Sequence, residues 1–125
     1  MKKIVATNHA PQAIGPYSQA VEFAGTLYIS GQLPIDPVTG TMPGTIEEQT
    51  ARCLDNIGAI LAAAGYTFAD VVKSTVLLAD INDFDAMNAI YARYYTESMP
   101  ARACYQVARL PKNARIEIET VAGRG

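Results

Sequence analysis

The chain has 125 residues, 50% hydrophobic and 18% charged, with a formal net charge of -2. That length is about one domain, spanning 1–125, which buries roughly two-thirds of its unfolded surface on folding. The charge balance lacks the basic excess of a nucleic-acid-binding surface, and the apolar content exceeds what a small monomer hides easily, which points to self-association.

Met1 to Val5 runs directly into Asn8-His9-Ala10-Pro11 without an apolar signal region, and no apolar stretch approaches ~20 residues. A cytoplasmic protein without a membrane span is the expectation. After the short apolar start at Ile4-Val5-Ala6, the segment from Asn8 to Pro16 carries two prolines and a glycine and reads as an ordered loop. Ala20 to Phe23 and Thr26 to Ser30 are predicted strands joined by a tight turn at Ala24-Gly25, with Gly31 ending the second. Leu33 to Gly44, rich in proline and glycine, is a connection. Thr45, with Glu48 three residues on, then makes a capping box that opens a helix. Leu54, Ile57, Gly58, Leu61 and Ala62 form its apolar stripe, and Gly65 stands where a C-terminal cap belongs.

Val71 to Leu78 is β-branched and apolar on both faces, as in a strand covered by a helix on one side and by something else on the other. Asp80 or Asp83 opens a second helix carrying Phe84, Met87, Tyr91, Tyr94 and Tyr95 on one side and ending before Met99-Pro100. Strands from Ala101 to Val107 and Arg115 to Ala122 finish the chain, separated by a loop containing Pro111. The pattern is α+β, ββαβαβ with an extra final strand. Right-handed crossovers place both helices on one face of a mixed sheet and leave the other face bare. Cys53 and Cys104, far apart in periodic segments, read as reduced thiols, and His9 has no ligand cluster around it, so no metal is expected.

Arg102, in an otherwise small or apolar segment, needs a partner: it either clamps a carboxylate bidentately or pairs with a neighbouring acid. Glu117 shares a strand face with Glu119, and the two either hold a water and pass protons or form a solvated face. Tyr17 follows the rigid Gly15-Pro16 corner and is either a ligand-cleft wall or a packing plug. Ser30-Gly31 lets backbone N–H groups approach a small anion, or is simply a strand terminator. Asn88 lies among apolar helix residues, facing a cleft or solvent. Cys104 shares the strand face of Arg102, and its thiol reads better as a small buried hydrophobe than as a nucleophile.

Together, Ala13-Ile14-Gly15-Pro16-Tyr17-Ser18-Gln19-Ala20, Ile29-Ser30-Gly31-Gln32-Leu33-Pro34, Asp55-Asn56-Ile57, Asn82-Asp83-Phe84, Pro100-Ala101-Arg102, Ala108-Arg109-Leu110-Pro111 and Ile116-Glu117-Ile118-Glu119 resemble the RidA/YjgF family in order and spacing over essentially the whole chain. The resemblance implies a chorismate-mutase-like fold assembled as a homotrimer, with the sheets forming a central barrel and the sites between subunits. It further implies hydrolytic deamination of reactive 2-imino or enamine acids (2-aminoacrylate, 2-iminobutanoate, 2-iminopropanoate) to 2-oxo acids and ammonia, without a cofactor. The arginine matching Arg102 would bind the substrate carboxylate and the glutamate matching Glu117 would position the attacking water. Tyr17, Ser30, Gly31, Asn88 and Cys104 match cleft-lining positions, with Tyr17 coming from the neighbouring subunit. Tyr105 is bulkier than the family often shows, and Leu78-Ala79-Asp80 lacks a basic residue common there.

A non-catalytic module that binds 2-oxo acids through the same arginine is the alternative, and the retained Glu117 argues against it. Ribonuclease activity would need a basic surface, which the composition does not provide.

Overall fold

The helix at the centre of the computed structural model, which describes residues 1–125, begins and ends where its local chemistry dictates. Thr45 Oγ1 accepts from the Glu48 N–H at 3.1 Å and donates to the Glu48 carboxylate at 3.0 Å, closing the first turn of α1 (Ile46–Ala63). At the other end the Gly65 N–H reaches Ala62 O and the Tyr66 N–H reaches Leu61 O, the paired bonds of a Schellman motif. Gly65 adopts φ +79° there, the left-handed conformation that a side chain disfavours. Leu54, Ile57, Ile60 and Leu61 are fully buried along one side of the helix. At about 1.5–3 kcal/mol for each large aliphatic side chain, that burial outweighs helix propensity as the reason α1 is stable.

The remaining elements are β1 (Lys3–Val5), β2 (Ala20–Phe23), β3 (Thr26–Gln32), β4 (Val71–Leu78), α2 (Phe84–Tyr91), β5 (Ala101–Gln106) and β6 (Ile116–Gly123). They build one mixed sheet in the order β1-β2-β3-β6-β4-β5, in which β4 and β5 pair in parallel and every other pair is antiparallel. Both helices lie on one face. Leu54, Ile57 and Leu61 of α1 and Met87 and Tyr91 of α2 share a single core with Leu27, Ile29, Val76, Leu78, Ile116 and Ile118 from the strands. The opposite face keeps apolar groups in the open, with Ile4, Tyr28 and Tyr105 each about half exposed.

Three differences from the sequence reading have physical reasons. Ile4 belongs to a short first strand, which pairs Lys3 to Val5 against Glu22 to Ala20; three residues are too few for an alternation signal, and the pairing partner supplies the order. Gly31 does not end β3. The strand passes through it by a bulge between Ile29 and Gln32 and resumes pairing at Gln32 with Ile118. α2 ends at Tyr91, so Tyr94 and Tyr95 sit in the turn beyond it; both still pack edge-on against Phe68, which reproduces a helical stripe without a helix.

Candidate active site

Register decides which way each candidate side chain points. On the edge strand β5, Arg102 pairs with Ser74 and Cys104 with Val76, and both strand neighbours are buried beneath the helices. Arg102 therefore lies on the helix side. Its Nη1 donates to Asn88 Oδ1 at 2.7 Å, and the guanidinium stacks 4.8 Å from the Tyr91 ring centroid and 5.5 Å from that of Phe84. The sequence allowed an acidic partner for this arginine. The partner is instead a neutral amide, and the chain's one ion pair joins Arg115 to Asp83. The positive charge is thus held between two aromatic faces without a counter-ion, above a cleft of about 420 Å³ also lined by Tyr95, Met99 and Pro100. Cys104 stands one pleat along on the same side; burial pushes its thiol pKa up and the nearby Arg102 opposes that.

Glu117 has the opposite orientation. On β6 it lies between the buried Ile116 and Ile118 and pairs with Leu77 of β4, and so projects from the open face with Glu119 beside it. Burial raises the pKa of its carboxyl, and the like charge of Glu119 raises it further. The bulge in β3 makes room for this group. A Cβ at position 31 would fall 2.7 Å from Glu117 Oε2, so glycine is what lets the carboxylate lie against the β3 backbone. Around it is a cleft of about 560 Å³ to which Tyr17, Gly31 and Lys112 contribute, with Ile14 and Leu33 as apolar wall. The backbone is unusual at that rim: Lys112 and Asn113 take φ values of +58° and +56°, in the left-handed region, immediately after Pro111. Ser30 is tied into the scaffold, its hydroxyl donating to Ser18 O at 2.6 Å and its N–H to Gln19 O at 2.9 Å.

A single chain thus carries two separate clefts. Tyr17, Gly31 and Glu117 share one cleft, Asn88 and Arg102 share another with Cys104 alongside, and the sheet separates them. Sequence reasoning treated these residues as one constellation and missed three contributors. Phe84 and Tyr91, seven residues apart on α2, form the aromatic bed of Arg102; that spacing was visible but read as core. Gln19 organises the loop in front of Glu117, and nothing in its local pattern distinguished it. No three His, Cys, Asp or Glu side chains converge as metal ligands, and no helix is long and apolar enough to cross a membrane.

The chain is a single-domain α+β scaffold with an arginine that lacks a counter-ion in one cleft and a carboxylate of raised pKa in another. Residues 7–123 match the family model described as Endoribonuclease L-PSP, and the chain belongs to that family, the RidA/YjgF family. It is 56% identical over 126 residues to 2-iminobutanoate/2-iminopropanoate deaminase of Capra hircus, covering 100% of this chain and 92% of that protein. It is 47% identical over 127 residues to the protein of the same name from Escherichia coli K12, covering 99% of each. The crystal structure of E. coli TdcF with bound serine superposes with a TM-score of 0.95 at 43% identity, over 98% of this chain and 99% of that one.

Proposed function

We propose that this protein is an imine deaminase, hydrolysing 2-iminobutanoate, 2-iminopropanoate and the enamine 2-aminoacrylate to the corresponding 2-oxo acids and ammonia. The observation that carries this reading is the pairing, in a chain so similar to named deaminases along its whole length, of a cation without a counter-ion at Arg102 and a carboxylate of raised pKa at Glu117.

In this mechanism the Arg102 guanidinium takes the substrate carboxylate in a forked pair of hydrogen bonds, which Asn88 pre-orients from behind. Glu117 accepts a proton from a water as the water oxygen bonds to the imine carbon. The resulting carbinolamine collapses: Glu117 returns its proton to nitrogen, the C–N bond breaks as the hydroxyl oxygen forms the carbonyl, and the hydroxyl proton passes back through the Glu117 carboxylate to the departing ammonia, which leaves as ammonium. A protonated imine is already electrophilic, so orientation and proton transfer supply what the reaction needs, and no cofactor is required. Tyr17 walls the cleft, the Ser30-Gly31 backbone lies along it, and Cys104 offers a small neutral side chain beside the clamp.

Because the two clefts face opposite sides of the sheet, the working site in this reading forms between copies. A homotrimer of chorismate-mutase-like subunits would bring Arg102, Asn88 and Cys104 of one copy against Glu117, Gly31 and Tyr17 of the next and cover the open sheet faces in a central barrel. The protein would act in the cytoplasm, where dehydratases release such imines.

The test is ammonia release from 2-aminoacrylate generated in situ by a serine dehydratase. Acceleration by the wild type, abolished in Arg102→Ala and reduced by about 10²-fold or more in Glu117→Ala, is the expected result. A folded wild-type protein giving no acceleration over spontaneous hydrolysis would overturn the enzyme and leave a module that binds small carboxylates.

A further inference from the structure

The wall in front of Glu117 is a loop without regular structure, residues 7–18, and such a segment keeps its shape only if something inside holds its backbone polar groups. One side chain does so. Gln19, 4% exposed, accepts from the Thr7 N–H through Oε1 at 2.7 Å, and its Nε2 donates to Thr7 O at 3.1 Å, Ala10 O at 3.3 Å and Pro11 O at 2.7 Å. An amide NH₂ has two hydrogens, so three carbonyls converging on it share them, and its polar atoms are saturated by the loop. Its main chain does a second job: Gln19 O accepts from the Ser30 N–H at 2.9 Å, beside the bulge that admits the Glu117 carboxylate at Gly31. The loop it holds contributes Pro11, Ile14 and Tyr17 to the Glu117 cleft. Side chain and main chain of a single residue therefore join the two backbone segments between which Glu117 lies.

We propose that Gln19 is a positioning residue for the reaction, fixing the 7–18 loop against the Ser30-Gly31 bulge so that the Glu117 carboxylate is held in a shaped, water-poor cleft. Gln19 borders the Glu117 cleft itself, but its amide is taken up by the loop, so it acts through Glu117 and the loop rather than on a reacting atom. The inference rests on the reading of Glu117 as the proton-transferring group. With the loop loosened, water reaches the carboxylate, its ionised form becomes better solvated and its pKa falls. The other titratable groups facing that carboxylate are Glu119 on its own strand, Tyr17 from the loop, Lys112 from the turn after Pro111, and Cys53 beneath it on α1. A neutral substitution at position 19 changes the charge of none of them, and only Tyr17, on the loop itself, moves with the loop.

Gln19→Leu removes all four hydrogen bonds without adding charge, and Gln19→Asn withdraws the amide by one methylene should the leucine variant fail to fold. The wild type and these variants are compared by direct ¹³C titration of the Glu117 carboxyl and by the pH profile of kcat/KM for imine hydrolysis. The expected result is a Glu117 titration midpoint below that of wild type, an acid limb of kcat/KM displaced in the same direction, and a kcat/KM reduced about tenfold or more, mainly through kcat. A Glu117 midpoint identical to wild type in a folded variant, with activity lost only in proportion to the unfolded fraction, would reduce Gln19 to a structural residue and overturn the proposal. Should the wild type prove inactive, the functional reading fails, while the carboxyl titration still decides whether Gln19 controls the environment of Glu117.

Discussion

Arg102 and Glu117 point to opposite faces of one sheet. The register Ser74–Arg102 on one side of β4 and Leu77–Glu117 on the other fixes this, because Ser74 and Leu77 differ by an odd number of residues. If catalysis needs both, a molecule of substrate must sit between copies, and defects in the two residues should complement. Purified Arg102→Ala and Glu117→Ala proteins, each near inactive, are co-refolded in equal amounts. Activity should return to roughly a quarter of wild type, the share of interfaces that combine one intact Arg102 with one intact Glu117. Mixtures as inactive as either parent, with subunit exchange verified by mass spectrometry, would place both residues in separate processes.

The raised carboxyl of Glu117 makes its contribution pH-dependent in a definite direction. Burial, then the charge of Glu119, raises the pKa of the folded protein's Glu117 carboxyl above its ordinary value. A general base must be ionised, so kcat/KM should fall as pH drops through this raised pKa, and Glu119→Gln should move that fall to lower pH. Stability runs the other way. A group that binds its proton more tightly when folded contributes a loss of stability as pH rises from its ordinary pKa through the raised one. Glu117→Gln should therefore melt higher than wild type at neutral pH, with the advantage vanishing in acid, as thermal melts at the two pH values would record.

Gly31 offers a cleaner perturbation of the same carboxylate. Its φ lies outside the left-handed region, so alanine is conformationally acceptable there, yet the new Cβ meets Glu117 Oε2 at 2.7 Å. Gly31→Ala should fold normally and displace only the Glu117 side chain. A fall in kcat of about 10- to 100-fold with a circular dichroism melt close to wild type is the expected outcome, since a misplacement near 1 Å is enough to cost that much. An unchanged kcat would mean that the Glu117 position is not critical.

The first helix, the hairpin and the buried strand β4 were legible in the sequence because each rests on local chemistry: Thr45 with Glu48, Gly65, Ala24-Gly25, and the apolar run from Val71 to Leu78. Strand parity was not. Whether Arg102 and Glu117 share a face depends on the pairing of β4 with both β5 and β6, a long-range choice that no local spacing encodes. The same limit hid Gln19, whose partners lie 8 to 12 residues away in a loop without periodicity. The short β1 was missed because its order comes from β2.

Asn88 holds Arg102 through a charge-assisted hydrogen bond of 2.7 Å, and bonds of that kind are worth about 1.5–3 kcal/mol. Asn88→Ala should leave the guanidinium on Tyr91 but free to swing, raising KM about tenfold with a smaller change in kcat. Asn88→Asp should be worse, because a carboxylate at that point neutralises Arg102 and competes with the substrate. Steady-state kinetics on both variants test this, and an aspartate variant binding as tightly as wild type would contradict the clamp.

Thr120 separates stability from function. It lies on the helix side of β6 between Ile29 and Ser74, it is 2% exposed, and its Oγ1 is buried without a hydrogen-bond partner. A hydroxyl buried without a protein partner gives up its hydration on folding at about 1–3 kcal/mol for such a group. Valine keeps the shape and the β-branching that a strand favours while removing the polar atom. Thr120→Val should therefore be more stable than wild type by about 1 kcal/mol in urea melts, with kcat/KM unaltered, because neither cleft includes this side chain. A clear loss of stability would instead show that Oγ1 has a buried partner, an enclosed water being the natural one.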